Sequence, residues 1–112
     1  MERTIKSLLC AVTTSSTVFG TEVPSGMERH ILFVKTTNQH SGANLVDFGY
    51  STDGGTTHTT LDYFDHSAQH EMNDYSSPEK GVPAYILPPG SKLYAQAASG
   101  DCYLYVVYED VV

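Results

Sequence analysis

Apolar and aromatic positions along this chain alternate with polar ones in runs of six to nine residues, and nearly every run ends in a turn former. The period of two is that of a half-buried strand, whose successive side chains point to opposite faces. It predicts strands over Ile5–Val12, Thr17–Val23, His30–Thr37, Ala43–Ser51, Thr57–Phe64, Val82–Leu87, Lys92–Ala97 and Cys102–Asp110. Pro24-Ser25-Gly26, Asn38 to Gly42, Asp53-Gly54-Gly55, Pro88-Pro89-Gly90 and Ser99-Gly100-Asp101 punctuate them. Proline presets φ and glycine admits φ > 0, so these are places where a chain reverses. No segment carries helical periodicity. About eight short strands with turn signals between them predict one all-β domain over residues 1–112. Its fold class is an antiparallel β-sandwich, jelly-roll-like.

The last strand departs from simple alternation. Cys102, Leu104, Val106 and Tyr108 share one face, while Tyr103, Tyr105 and Val107 share the other. A strand that is apolar on both faces has to be covered on both, by its own fold or by a partner. The chain has 8 Tyr and no Trp, and tyrosine pairs an apolar body with a polar tip, which suits interfaces. Tyr103, Tyr105, Val107 and Tyr94 are therefore the candidate contact residues of an oligomer or partner surface.

Composition narrows the function classes. The 112 residues carry a formal net charge of −7, from 13 acids against 6 bases. Such a field opposes the phosphate backbone, and no basic run offsets it, so nucleic acid is not an expected partner. No stretch reaches the roughly 20 apolar residues of a membrane helix. The apolar run within Ile5–Val12 reads as a strand rather than a signal peptide, because polar Thr13 to Thr17 follow at once. A chain of this length buries roughly 65% of its unfolded surface, enough for a core without staples. Cys10 and Cys102 near the two ends leave two readings open, a disulfide between neighbouring strands or two buried thiols packed as small hydrophobes.

The longest expected irregular segment is Asp65 to Gly81, with room for one helical turn around Ala68–Met72. Connections of this length often bind or cover something. Asp65, His66, His70, Glu71, Asp74 and Tyr75 are its candidate binding residues. His66 and His70 at i and i+4, with Asp62 and the acids just named, have the residue types of a metal shell. Their spacing matches neither a zincin nor an EF-hand, so no metal or other cofactor is expected. No Gly-x-Ser-x-Gly elbow and no phosphate loop occur, and the chain is read as non-enzymatic. A cupin-like metal site would need ligands on adjacent strands, and no such set is visible.

One local motif stands out. Ser51-Thr52-Asp53-Gly54-Gly55-Thr56-Thr57-His58 resembles the Asp-box, Ser-x-Asp-x-Gly-x-Thr-Trp, with His58 in the aromatic position. The resemblance implies a folding device, a hairpin whose Ser and Asp satisfy turn amides. It implies no catalytic role.

Val23-Pro24-Ser25-Gly26 leading into His30–Val34, then Leu87-Pro88-Pro89-Gly90-Ser91-Lys92-Leu93-Tyr94-Ala95 and a final β run, is similar to small β-sandwich virion proteins of tailed bacteriophages, of the head-decoration (cement) type. That resemblance implies a non-catalytic protein in the virion, assembled in the host cytoplasm. It would bind the major capsid protein, stabilise the lattice and act as a homo-oligomer, most often a trimer. The alternative from another class is a carbohydrate- or receptor-binding module of a phage tail or adhesin, using the Asp65–Gly81 loop and solvent-facing tyrosines.

Overall fold

A computed structural model describes residues 4–76 and 83–112. Among the described residues nine strands follow one another: β1 (Lys6–Val12), β2 (Thr17–Phe19), β3 (Glu28–Asn38), β4 (Asn44–Ser51), β5 (Thr59–His66), β6 (Met72–Ser76), β7 (Tyr85–Leu87), β8 (Lys92–Ala97) and β9 (Cys102–Val111). The pairing is nested. β4 pairs β5, β3 pairs both β6 and β7, β2 pairs β8, and β1 pairs β9, all antiparallel. The chain is thus one long hairpin, rolled until β3 meets β9 and β4 meets β8. Rolling yields two packed sheets, β1-β9-β3-β6 with β7 also on β3, and β2-β8-β4-β5. This is jelly-roll topology, with β6 and β7 sharing one place beside β3.

The predicted all-β sandwich is therefore the fold, with one strand added and several limits moved. Met72–Ser76 was expected to be irregular, yet it pairs with Phe33–Thr37 of β3. Residues 68–70 form a turn, closed by a Glu71 N–H to Ala68 carbonyl contact of 3.4 Å, where a helical turn was expected. The second strand stops at Phe19 rather than Val23. Val23 is still buried, its N–H donating to the Ser91 carbonyl and its carbonyl accepting from Gly90 N–H, each at 2.9 Å.

Inward positions of the two sheets make the core. Val12, Ile31, Val34, Leu104 and Val106 come from the first sheet, and Val46, Phe48, Phe64, Leu93, Ala95 and Ala97 from the second. Phe48 packs near Phe64 and Tyr85, at 6.2 and 5.9 Å between ring centres. The register of β3 against β9 shifts between Ile31 and Phe33, and that of β4 against β5 between Phe48 and Gly49. Such bulges bend a strand and re-aim the side chains beyond the bend. At the second one, a Cβ on Gly49 would lie 1.9 Å from the Thr59 carbonyl oxygen, so only glycine fits the close approach.

Candidate functional site

The last strand behaves as its sequence predicts. Cys102, Leu104, Val106 and Tyr108 are buried, while Tyr103 is 45% exposed and Tyr105 and Val107 are half-buried on the outer face. Register places Leu9 opposite Tyr105 and Phe33 opposite Val107, with Thr37 beside both Tyr103 and Met72. Leu9 is 66% and Met72 60% exposed. The Phe33 and Tyr105 rings meet edge to face, 6.4 Å apart. The outer face of the first sheet thus carries an apolar band from Leu9 on β1 through Tyr103, Tyr105 and Val107 on β9 to Phe33 on β3, with Met72 of β6 set apart from it by Thr37. Lys35 stands opposite Tyr105 on one side and Asp74 of β6 on the other, so the middle row of the face ends in two charged residues. Bands of this kind on small domains mark contact surfaces.

Tyr94 does not belong to that surface. It stands on β8 in the other sheet and is fully buried. The β4–β5 hairpin folds over it, and His58 stacks on its ring at 3.8 Å and 10°. Its hydroxyl reaches Gln96 Oε1 at 2.9 Å and Ser16 Oγ at 3.0 Å. His58 Nε2 in turn lies 2.9 Å from Asp47 Oδ2, and Thr60 donates to Asp47 Oδ1 at 2.8 Å. The expectation of a contact residue fails because Tyr94 is already covered, by its own chain.

The covering hairpin is built as the Asp-box resemblance implies. Ser51 Oγ accepts the Gly55 N–H at 2.9 Å and lies 2.6 Å from the Thr57 carbonyl oxygen. Asp53 accepts the Thr57 N–H at 2.9 Å and the Thr57 hydroxyl at 2.5 Å. Gly54 and Gly55 take φ of 75° and 99°, the left-handed region that favours glycine. These bonds favour the carboxylate form, and the Thr57 hydroxyl, then the Thr57 N–H, lower the Asp53 pKa to about 2. His58 in the aromatic position does the aromatic job, stacking flat on Tyr94.

The residues proposed for the 65–81 loop do not form one site. Asp65, on β5, is exposed and His70 is exposed in a turn, but His66 is completely buried between the sheets. His66 Nε2 shares a 2.7 Å hydrogen bond with Thr36 Oγ1. Its Nδ1 has no hydrogen-bond partner among the described residues, with Glu71 Oε1 at 3.5 Å. Glu71 is committed to Ser67, taking its N–H at 3.1 Å and its hydroxyl at 2.7 Å. The Ser67 hydroxyl, then its N–H, hold the Glu71 pKa below the usual range. The side chains of Asp74 and Tyr75, and residues 77–82 entirely, lie outside the described residues. Thr36, His66 and Glu71 stand in the order of a nucleophile, base and acid. Thr36 and His66 are both fully buried, so the hydroxyl has no approach for a substrate in this arrangement. Among the described residues no group of three or more His, Cys, Asp or Glu is placed to hold a metal ion.

Three structural features escaped the sequence reading. Arg29, 1% exposed, makes a two-pronged contact with Asp110, Nε to Oδ1 at 2.8 Å and one terminal nitrogen to Oδ2 at 3.0 Å. It also donates to the Thr21 carbonyl and lies 4.3 Å from the centre of the Tyr108 ring. At the opposite end of the sandwich, buried Asn38 donates to the Gly42 and Ala68 carbonyls, at 3.0 and 2.9 Å. Buried Asn44 donates to Asn38 Oδ1 and the Gly100 carbonyl, and accepts the Ser99 N–H. Two asparagines thereby tie the β3–β4, β5–β6 and β8–β9 loops together. The third feature is a depression of about 200 Å³ beside those loops, lined by Thr14, Leu45, Asp47, Gln96, Ala97 and Ala98.

Cys10 and Cys102 are both free. Cys10 faces Leu104 and Cys102 faces Val12, so the two thiols sit on one face but diagonally. Diagonal pairs across strands are about 7–8 Å apart at Cα, beyond the usual disulfide span. Burial raises both thiol pKa values, that of Cys102 to about 11.

No family model and no curated protein matches this sequence. What the fold and surfaces define is a jelly-roll sandwich in which Tyr103, Tyr105 and Val107 lie open on the outer face of one sheet, while Tyr94 on the other is covered by the β4–β5 hairpin.

Proposed function

We propose that this chain is a non-enzymatic structural protein of a virion, a decoration (cement) protein that binds the major capsid protein and stabilises the head lattice. The observation that carries the reading is the apolar band over Leu9, Tyr103, Tyr105, Val107 and Phe33. A protein whose task is to lie on another protein needs a broad, shallow, half-exposed apolar face. This sandwich has one on the sheet that contains its two-faced last strand. Burying such side chains on contact is worth roughly 1.5–3 kcal/mol each when complete, and a few of them near the centre of a contact commonly carry most of its binding energy. The net charge of −7 fits a protein partner better than a nucleic acid. Association of copies, with three as the expected number, would use the same band, and assembly would take place in the host cytoplasm.

Co-sedimentation with capsids lacking the protein tests this reading directly, with light scattering for the mass of the free protein. The wild type is expected to bind capsids saturably, and Tyr105→Glu to stay folded but remain in the supernatant, because it places a charge in a dry contact. A wild type that is monomeric at high concentration and leaves capsids unbound overturns the proposal.

A further inference from the structure

We infer that the outer face of the second sheet binds a neutral sugar ring, in the depression between β8, β4 and the β1–β2 loop. This site is independent of the virion reading. It lies on the sheet opposite the apolar band, so both faces can be occupied together.

The size of the depression comes first. At about 200 Å³ it is smaller than a site for a drug-sized molecule or a nucleotide, and it suits a single ring. Its polar groups come next. Asp47 and Gln96 are direct register partners on adjacent strands, and their side chains lie side by side on the outer face. Thr60 and His58 hold the two oxygens of Asp47, which fixes the carboxylate while leaving further lone pairs on each oxygen. Gln96 gives one amide hydrogen to the Thr14 carbonyl at 2.7 Å, and its oxygen receives the Tyr94 hydroxyl. The second amide hydrogen has no partner among the described residues. A fixed acceptor beside a fixed donor is the complement of two neighbouring hydroxyls, one donating and one accepting. Leu45, 41% exposed, and Ala98 supply an apolar wall for the C–H face of the ring.

Charge and surroundings select further within this class. The acidic field of the chain, with Asp47 at the centre, disfavours sulfated or uronic sugars. Tyr63, opposite Asp47 in register on β5 and 57% exposed, offers a flat ring on the far side of the carboxylate. A second sugar linked to the first would lie over it. The site therefore takes a neutral saccharide, and a disaccharide better than a monosaccharide.

The test is a titration of the isotope-labelled protein, followed by amide chemical shifts. The sugars are glucose, galactose, mannose, N-acetylglucosamine, lactose, maltose and cellobiose. At least one should give saturable shifts in the millimolar range, confined to Thr14, Leu45, Asp47 and Gln96 to Ala98, with Tyr63 joining them for a disaccharide. A disaccharide should bind several-fold more tightly than its component sugar, and Tyr63→Ala should abolish only that difference. Asp47→Ala should weaken binding at least tenfold. Because Asp47 also holds His58, Ala98→Trp is the second variant, blocking the depression without removing any of these bonds. Tyr105→Glu, on the opposite sheet, should bind as the wild type does. No saturable shift from any of these sugars at 100 mM overturns the inference, and so do shifts that Ala98→Trp leaves intact.

Discussion

Tyr94 and Tyr105 have the same side chain, both on the outward side of a strand, yet one is sealed and the other open. The difference lies in what passes over each sheet. The hairpin after β4 folds back across the second sheet, so that His58 lies flat on Tyr94 and Ser16 and Gln96 hold its hydroxyl. Over the first sheet the described chain places no such cover, and Tyr105 is left half-exposed, with the Phe33 ring at its edge and Leu9 and Lys35 beside it in register. An outward tyrosine is thus packed into the fold where the chain returns over it and left open to solvent where it does not. Alternation along the strand cannot tell the two apart.

Truncating each ring is the strongest way to break this contrast. Tyr94→Ala removes a fully buried aromatic side chain and is expected to cost about 3–5 kcal/mol, whereas Tyr105→Ala should cost less than about 1 kcal/mol. Urea denaturation of both variants measures the difference. Similar losses for the two would mean that the hairpin does not seal Tyr94 in solution. Within the sealed region, Tyr94→Phe isolates the hydroxyl and its two partners, for an expected loss of about 1–2 kcal/mol.

Gly49 is the backbone counterpart of the same closure. The hairpin can return only because the β4 backbone at Gly49 lets Thr59 approach, with its carbonyl 1.9 Å from where a Cβ would sit. Gly49→Ala should therefore cost about 3 kcal/mol, the upper end of what overpacking usually does, because backbone rather than a flexible side chain must move. Gly42, where a Cβ would meet nothing within 4 Å, is the control, and Gly42→Ala should be near neutral.

The sequence was most legible where a local rule acts alone. Turn chemistry and the period of two located eight of the nine strands, and Ser51-Thr52-Asp53-Gly54-Gly55 predicted its own hydrogen bonds. β6 was missed because Met72-Asn73-Asp74-Tyr75-Ser76 carries almost no apolar signal and takes its strand form from pairing with β3. Tyr94 and His66 were misplaced for a related reason. Both are covered by segments brought over them from elsewhere, the β4–β5 hairpin in one case and the packing against Thr36 in the other. Arg29 with Asp110, 81 positions apart, and Asn38 with Asn44 and Gly100 are long-range polar ties that no spacing announces. The outer apolar band was half legible, since Tyr103, Tyr105 and Val107 lie in one strand. Leu9 and Phe33 join them only through register.

Acid should loosen the sealed face while leaving the open one unchanged. The folded-state pKa of Asp53 is depressed from 3.8 to about 2. Its contribution to stability is therefore fully present above about pH 4 and is lost as pH falls through about 2. Asp53→Asn should flatten the pH dependence of stability across that window. Amide shifts of Asp53 to His58 should move with acid in the wild type, and those of Tyr103 to Val107 should not. Equal pH dependence in wild type and variant would detach the capping carboxylate from the stability of the hairpin.

The smallest effect on stability is expected where the effect on docking is largest. Tyr103 is 45% exposed and Leu9 66% exposed on the open face, so replacing either by Ser removes little that the isolated fold buries. Changes within about 0.5 kcal/mol are usual for such surface positions. On a partner lattice the same side chains would lie in the contact, and the double variant Leu9→Ser with Tyr103→Ser should weaken capsid binding by more than tenfold. A melting temperature equal to the wild type together with lost binding assigns the open face to docking. An unchanged affinity would show that partners do not touch this part of the band. A melting temperature that falls by many degrees would mean that the open face, like the sealed one, already belongs to the fold.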